Sequence, residues 1–203
     1  MLLEACVETF EEAFAAWQRG ASRIELCSHL ELDGLTPSPE SISKTCSGLP
    51  IPVMVMVRSR AGDFIFSEEE VRSMEVEIEA ARKMGAAGIV LGLLTAENRI
   101  DLPNTLRLAE AARPLPVTFH KAVDLLADPV DGVRELLKVP GITRILTSGG
   151  KPTAREGAAV IRRMMEAAEG KITILVAGKV TRDNVSEIAA LTGAWEFHGR
   201  RIV

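Results

Sequence analysis

The residue types best suited to chemistry occur twice near the N-terminus in the same pattern. Glu4 and Cys6 lie in "LLEACVE", and Glu25 and Cys27 lie in "SRIELCS", so each segment carries a carboxylate and a thiol at alternate positions. Side chains alternate between the two faces of a β-strand, so each pair shares one side of its strand. Leu3, Ala5, Ile24 and Leu26 take the other side, which is apolar and must meet the helices, so we expect the carboxylates and thiols to point inward. Thiols can ligate soft metal ions or act as nucleophiles, and carboxylates can move protons.

The same alternation predicts further chemically active side chains on the inward side of later strands. These residues are Met54, Met56, Arg58, Thr118, His120, Glu196 and His198. Buried charges are costly unless they are paired, so we expect Glu4 or Glu25 to pair with Arg58, and Glu196 to pair with a histidine or an arginine. The groups converge either on a functional site or on a satisfied polar network that only fixes strand register.

Eight β-rich runs, separated by amphipathic helical stretches, must position these residues. The runs are "LLEACVE", "SRIELCS", "IPVMVMVR", "AGIVLGLL", "LPVTFHKAV", "TRILTSGG", "ITILVAGKV" and "AWEFHGRRIV". Repeated βα units predict parallel strands, and eight of them predict an α/β fold of the (β/α)8 TIM-barrel class, formed by residues 1–203 as a single domain. An open, doubly wound sheet is the alternative. In a barrel, the site is expected at the C-terminal ends of the strands.

The eighth predicted strand reaches almost to Val203, so the helix that normally follows it is lacking. Trp195 and Phe197 are expected to point outward at this seam and to leave apolar surface in water. We therefore expect a homo-oligomer, most simply a homodimer.

Composition excludes several classes of partner and location. The 203 residues carry a net charge of −4 with no basic block, which argues against nucleic acid as a partner. No apolar run approaches the roughly 18 residues that a membrane span needs, and no secretory leader is visible, so we expect no membrane partner and a cytoplasmic location. Three cysteines form an odd set, which favours free thiols in a reducing compartment.

The ordered motifs along the chain resemble the CutC family, whose members are described as copper-homeostasis factors with (β/α)8 barrels. The motifs are "LLEACVE", "GASRIELCS", "GLTPS", "RSRAGDF", "VTFHKAVD", "RILTSGG" and "EFHG". The resemblance implies a role in copper homeostasis, with Cu(I) bound by Cys6 and Cys27 in a polar pocket at the C-terminal face of the barrel. Met54 or Met56 would add a thioether, a donor that also suits this soft ion.

An enzyme acting on a small anionic, possibly phosphorylated, molecule is the alternative function. In this interpretation Glu25 or His120 is the base for proton-transfer or lyase chemistry, and Arg58 and Arg60 hold a carboxylate or phosphate. The remaining candidate ligand-binding residues are Glu4, Asp63, Ser148, Gly149, Gly178 and His198. Glycine turns before helices can present backbone N–H groups to phosphate, although glycine also serves ordinary tight turns. Asp63 fits a local turn or a pair with Arg60 equally well.

Overall fold

Eight parallel strands close into a barrel in chain order, which confirms the predicted (β/α)8 fold. The structure is a computed structural model that describes all residues, 1–203. The strands are β1 (Leu2–Val7), β2 (Arg23–Leu26), β3 (Val53–Met56), β4 (Gly88–Leu91), β5 (Val117–Phe119), β6 (Ile142–Thr147), β7 (Thr173–Val176) and β8 (Glu196–Gly199). Each of the eight β-rich runs found in the sequence matches one of them, and only β6 extends beyond its run, by one residue at Ile142.

Seven α-helices surround the barrel. They are α1 (Phe10–Gln18), α2 (Pro39–Gly48), α3 (Glu68–Lys83), α4 (Leu102–Ala112), α5 (Pro129–Leu136), α6 (Ala154–Ala168) and α7 (Val185–Thr192). Short 3-10 helices at Leu30–Leu32 and Lys121–Leu125 follow β2 and β5. None of the helices combines the length and apolar character needed to cross a membrane.

Local sequence signals explain where the helices begin. Ser67 caps α3 by accepting the Glu70 backbone N–H, and the Glu70 side chain accepts the Ser67 N–H in return, which completes a capping box. Thr9, Ser38 and Thr153 cap α1, α2 and α6 in the same way through their hydroxyl groups. Each cap defines the residue at which its helix begins, and this is also where the preceding loop from the C-terminal end of a strand stops.

Strand alternation separates an outer apolar core from a polar barrel interior. Ala5, Ile24 and Leu26 lie in the large hydrophobic cluster between strands and helices, as predicted. Cys6 and Cys27 instead belong to a small interior cluster with Met54, Met56 and Val90. Adjacent residues of a strand therefore have different tasks, since one set anchors the helices and the other lines the interior.

No helix follows β8, and the seam differs in part from the expectation. Trp195 is 70% exposed there, but Phe197 is completely buried, so the expectation that both leave apolar surface in water is wrong for Phe197. Ile202 is buried in the same outer cluster as Phe197, and the backbone N–H of Arg182 donates to the Arg201 carbonyl at 2.9 Å. The residues after β8 thus fold back and supply apolar cover. The homo-oligomer remains a prediction.

Candidate functional site

A cavity of about 950 Å³ opens at the C-terminal ends of the strands, where active sites of such barrels lie. Its floor is formed by strand residues that include Cys6, Glu25, Met56 and His198, and its wall by the loops that follow β2, β3 and β5 to β8. Of the predicted site residues, the cavity is lined by Cys6, Glu25, His120, Ser148, Gly178 and His198. The strand interior and the loops therefore meet in one space.

The two Glu-x-Cys segments place both thiols around one carboxylate. Cys6 lies opposite Glu25 in the β1–β2 register, and Cys27 follows one residue after the end of β2. The Cys6 and Cys27 sulfurs are 4.0 Å apart, and Glu25 Oε1 lies 3.4 Å from the first and 3.5 Å from the second. Both thiols are free and buried. Cys27 does not line the cavity but lies directly behind Cys6.

His198 lies between two carboxylates in the barrel interior. Its Nδ1 is 2.8 Å from Glu4 Oε1, and its Nε2 is 3.9 Å from Glu25 Oε1. Burial lowers the pKa of His198, but the negative charge of Glu25 and hydrogen bonds with Cys6 and Glu4 outweigh it, so the net effect raises that pKa well above its usual value. The ring therefore holds its second proton more tightly than a free histidine does, and it connects Glu4, which lies outside the cavity lining, to the floor.

The charge state of the thiol site follows from the same contacts. The hydrogen bond from Cys27 lowers the pKa of Cys6 to about 5, with further help from His198, whereas burial raises the pKa of Glu25 well above its usual range. The Cys27 pKa is also raised well above its usual value, first through the bond to Cys6 and then through burial. Cys6 therefore gives up its proton more readily than a free thiol does, whereas Glu25 and Cys27 hold theirs more tightly than usual.

Arg23, rather than Arg58, neutralises the buried carboxylates. Its Nε contacts Glu4 Oε2, and its Nη2 lies 2.7 Å from Glu196 Oε2. The expected pairing of Glu4 or Glu25 with Arg58 is therefore wrong, while the expected pairing of Glu196 with an arginine or histidine is confirmed. Arg23 lies two positions before Glu25 on β2, so strand alternation alone already placed it inside the barrel.

Arg58 has a structural role that its position in the sequence did not reveal. Its guanidinium donates to the carbonyl oxygens of Leu32 at 2.9 Å, Gly34 at 3.2 Å and Gly62 at 2.8 Å. These carbonyls belong to the loops after β2 and β3. Arg58 therefore holds two loops together, and it does not line the cavity.

Arg60 and Asp63 also lie outside the cavity. Arg60 binds Asp63 Oδ1 at 2.8 Å and Glu70 Oε1 at 2.5 Å, and its guanidinium stacks over the Phe66 ring. The local Arg60–Asp63 pair is the plainer of the two interpretations that the sequence allowed. Neither predicted arginine is therefore free to hold an anionic ligand in this cavity.

His120 lines the cavity as a neutral hydrogen-bond donor. Its Nδ1 accepts the backbone N–H of Ala122 at 3.2 Å, which assigns the ring proton to Nε2. Burial, reinforced by the positive charge of Arg58, lowers the pKa of His120 to about 3, so the ring stays neutral at ordinary pH. Nε2 has no hydrogen-bond partner within the protein. In this arrangement His120 can donate a proton to a ligand oxygen in a hydrogen bond, whereas its acceptor nitrogen is occupied.

The two glycine turns differ in whether they can contact a ligand. The loop after β6 is held by Asp124, which accepts the backbone N–H groups of Ser148 at 2.9 Å and Gly150 at 2.8 Å. The Gly149 N–H donates to Thr147 Oγ1 at 2.8 Å, and Gly149 lies outside the cavity. The amides of this loop are therefore already paired. Ser148 and Gly178 line the cavity as predicted site residues.

Several wall residues were absent from the set of candidate site residues. The loops after β5 to β8 bring Lys121, Lys151, Lys179, Arg200 and Arg201 to the cavity. Loop residues have no regular alternation that reveals where their side chains point. The signal that was available is position, because each of these residues lies shortly after the C-terminal end of a strand.

Comparisons with known proteins agree along the whole chain. The sequence model of the CutC family matches residues 1–203. A human protein named copper homeostasis protein cutC homolog is 42% identical over 197 residues, which are 97% of this chain and 72% of that protein. A CutC-family protein of Histophilus somni (strain 2336) is 41% identical over 199 residues, covering 98% of this chain and 81% of that protein.

Solved structures support both the family and the barrel fold. The crystal structure of CutC from Streptococcus agalactiae superposes with a TM-score of 0.94 at 34% identity, and each chain is covered completely. Dihydrodipicolinate synthase DapA-2 from Bacillus anthracis superposes with a TM-score of 0.68 at 14% identity over 98% of this chain and 69% of that one, which shows a shared barrel fold alone. Since the family match spans every residue and relatives exceed 40% identity over nearly the full chain, this protein belongs to the CutC family.

Proposed function

We propose that this protein binds Cu(I) through Cys6 and Cys27 and serves copper homeostasis by holding the ion inside the barrel. The 4.0 Å separation of the two sulfurs carries the proposal. Metal–thiolate bonds are about 2.3 Å long in zinc sites, so one ion can contact two sulfurs at this separation. The names of the relatives connect the family with copper homeostasis.

The surroundings of the thiols suit a soft metal ion. Cu(I) prefers thiolate and thioether ligands, and Met54 and Met56 belong to the same interior cluster as both cysteines. Glu25 Oε2 is buried with no hydrogen-bond partner, although Oε1 of the same carboxyl group lies beside both sulfurs. A polar atom left unpaired at such a site is costly, and an added cation would relieve that cost.

The accessibility of the two thiols gives an order of contact. Cys6 is 7% exposed and lines the cavity, whereas Cys27 is completely buried behind it. An ion arriving from solvent therefore reaches Cys6 first and Cys27 second. The buried position also keeps a bound ion from competing ligands in solution.

An anaerobic Cu(I) titration of reduced protein against a chromogenic chelator tests the proposal. Wild type is expected to take up one ion with an affinity that the Cys6→Ser/Cys27→Ser variant lacks. Cys46→Ser is the matched control, since Cys46 is the third free thiol and lies on α2, outside the cavity. Equal uptake by wild type and the double variant would refute the site.

An enzyme acting on a small anionic molecule is a second candidate, favoured by the size of the cavity. About 950 Å³ lies within the roughly 300–1,000 Å³ usual for small-molecule sites and greatly exceeds the space that one ion needs. In this proposal Glu25 exchanges the proton and His120 donates a hydrogen bond to the substrate. An NMR screen of carboxylated and phosphorylated compounds, followed over hours for chemical change, tests turnover. Conversion that persists in Glu25→Gln would contradict the assigned role.

A further inference from the structure

The loop after β7 presents three successive backbone N–H groups with no acceptor in the protein. Gly178, Lys179 and Val180 follow the end of β7, all three line the cavity, and none of their N–H groups donates to a backbone or side-chain oxygen. The next N–H, of Thr181, donates to Asn184 Oδ1 at 2.8 Å. Unpaired backbone donors beside a cavity are normally satisfied by water or by a ligand.

This loop is held in its conformation by contacts on both sides. Gly178 and Lys179 have φ values of +97° and +56°, which is the left-handed region and is unusual for lysine. The Asn184 side chain accepts from Thr181 N and donates through Nδ2 to the Lys179 carbonyl at 2.9 Å. A Cβ at position 178 would lie 2.6 Å from Ser148 Cβ, so only glycine allows this close approach. The three amides are therefore preorganised rather than free to turn away.

Positive charge surrounds the same part of the cavity. Lys151, Lys179 and Arg201 line the wall formed by the loops after β6, β7 and β8, and none of them forms an ion pair within 4.0 Å. The other two cations of the wall do have partners, since Lys121 pairs with Asp124 and Arg200 with Glu8. Asp33, the remaining carboxylate of the wall, belongs to the loop after β2. The β6-to-β8 side therefore carries unpaired positive charge in a protein whose net charge is −4.

An unpartnered buried group lies in the wall of the same cavity. His120 is only 4% exposed, and its Nε2–H finds no acceptor within the protein. Apolar side chains of Met56, Phe64 and Leu146 also line the cavity. A ligand that complements this cavity thus needs a strongly anionic group for the cations and amides, an additional oxygen acceptor for His120, and an apolar part.

We propose that the loops after β7 and β8 form a phosphate subsite, and that the cavity binds a small organic phosphate ester. The amides of Gly178 to Val180 and the side chains of Lys179 and Arg201 contact the phosphate oxygens, while His120 donates to an oxygen of the organic part. Charge-assisted hydrogen bonds of this kind are short and strong, and phosphate groups in (β/α)8 barrels often lie at the loops after strands 7 and 8. Three amides and two cations are more donors than the two oxygens of a carboxylate require, which favours phosphate.

Calorimetric titration of reduced, metal-free protein with phenyl phosphate tests the proposal. Phenyl phosphate joins an apolar ring to a phosphate dianion, and we expect a Kd of about 1 mM or lower. Benzyl alcohol, which keeps the ring without the charge, should not bind measurably, and inorganic phosphate should bind more weakly than the ester. Amide NMR resonances of Gly178, Lys179 and Val180 should shift on saturation, which locates the bound ester.

Variants separate the subsite from general charge effects. Lys179→Ala/Arg201→Ala should weaken binding of phenyl phosphate by about a hundredfold, because each of the two charge-assisted bonds that it removes is worth about tenfold. Lys171→Ala is the matched control, since Lys171 precedes β7 at the opposite end of the barrel and pairs with Glu169. The Lys171→Ala variant should bind phenyl phosphate as tightly as wild type does.

Three results would overturn the subsite. These are the absence of phenyl phosphate binding up to about 10 mM, unchanged affinity in the double alanine variant, and inorganic phosphate binding as tightly as the ester. The outcome is independent of copper binding, because the Cys6→Ser/Cys27→Ser variant keeps every group of the subsite. That variant should retain phenyl phosphate binding even if it loses Cu(I).

Discussion

Replacing Arg23 with methionine tests how the barrel interior tolerates its buried charges. Arg23 bridges Glu4, which is 1% exposed, and Glu196, so Arg23→Met removes the arginine that pairs both carboxylates and leaves Glu4 with His198 alone. Burial raises the pKa of Glu4, but the hydrogen bond with His198 and the charge of Arg23 outweigh it and hold the pKa at about 2, against an ordinary 4.5. This difference corresponds to about 3 kcal/mol in favour of the ionised form in the folded state.

We expect Arg23→Met to lower the free energy of unfolding by about 3 kcal/mol at pH 7, the lower end of the range known for removing one partner of a buried ion pair. The sign of the pH dependence follows from the lowered pKa of Glu4. Its stabilising contribution is complete above pH 4.5 and is lost as the pH falls toward 2. The difference between wild type and variant should accordingly be largest near neutral pH and shrink below pH 4.5.

Urea unfolding followed by circular dichroism at a series of pH values measures this difference, with Arg144→Met as the matched control. Arg144 also lies on a barrel strand and points inward, but it contacts Thr118 Oγ1 at 3.1 Å and Met54 Sδ at 3.8 Å rather than a carboxylate. Its loss should cost about 1 kcal/mol, the usual value of one hydrogen bond. Equal stability of the two variants, or a wild-type value for Arg23→Met, would refute the assigned role of Arg23.

Three further predictions concern the outer layer. Ser67→Ala removes the capping box with Glu70 and should cost about 1 kcal/mol in urea unfolding, with no change in Cu(I) uptake. Gly157→Ala places a methyl group onto the Ser148 carbonyl oxygen and should destabilise by roughly 3 kcal/mol in the same assay; a wild-type midpoint would contradict this close packing. Burial raises the pKa of Cys46 to about 11 against an ordinary 9, so alkylation at pH 7 should be about 100-fold slower than after unfolding when Cys46 is the only thiol left.

The fold could be predicted from the sequence because strands and helices each leave a regular pattern of apolar and polar residues. All eight strands were predicted, and the alternation in "LLEACVE" correctly separated Ala5, which packs toward the helices, from Glu4 and Cys6 inside the barrel. Phe197 was misjudged because it is buried in the outer apolar core, which also includes Ile202 from the segment after the last strand. Contacts made by an irregular segment leave no periodic trace in the sequence, so they are visible only in the folded structure.

The site could be predicted from the sequence only in part, because the type of a charged residue does not determine which group it pairs with. Arg58 was expected to hold a carboxylate, yet three loop carbonyls take up its guanidinium. Those carbonyls are backbone groups, which every residue carries, so the sequence does not mark them. Arg23, in contrast, could have been predicted from the sequence. It alternates with Glu25 on β2 and so faces inward, and buried carboxylates need a buried counter-ion.

The two proposed ligands make different demands on different layers of the fold. Cys6 and Cys27 belong to β1 and the end of β2, where backbone register fixes the sulfurs and leaves little freedom to adapt. The phosphate subsite consists of loop amides and long side chains, whose fixed part is the backbone of Gly178 and Lys179. Cys6 lies on the floor of the cavity that the ester would occupy, and Cys27 is completely buried with its sulfur 4.0 Å from that of Cys6. If both proposals hold, an ester in the cavity would cover Cys6, and Cu(I) uptake should then slow when phenyl phosphate is present.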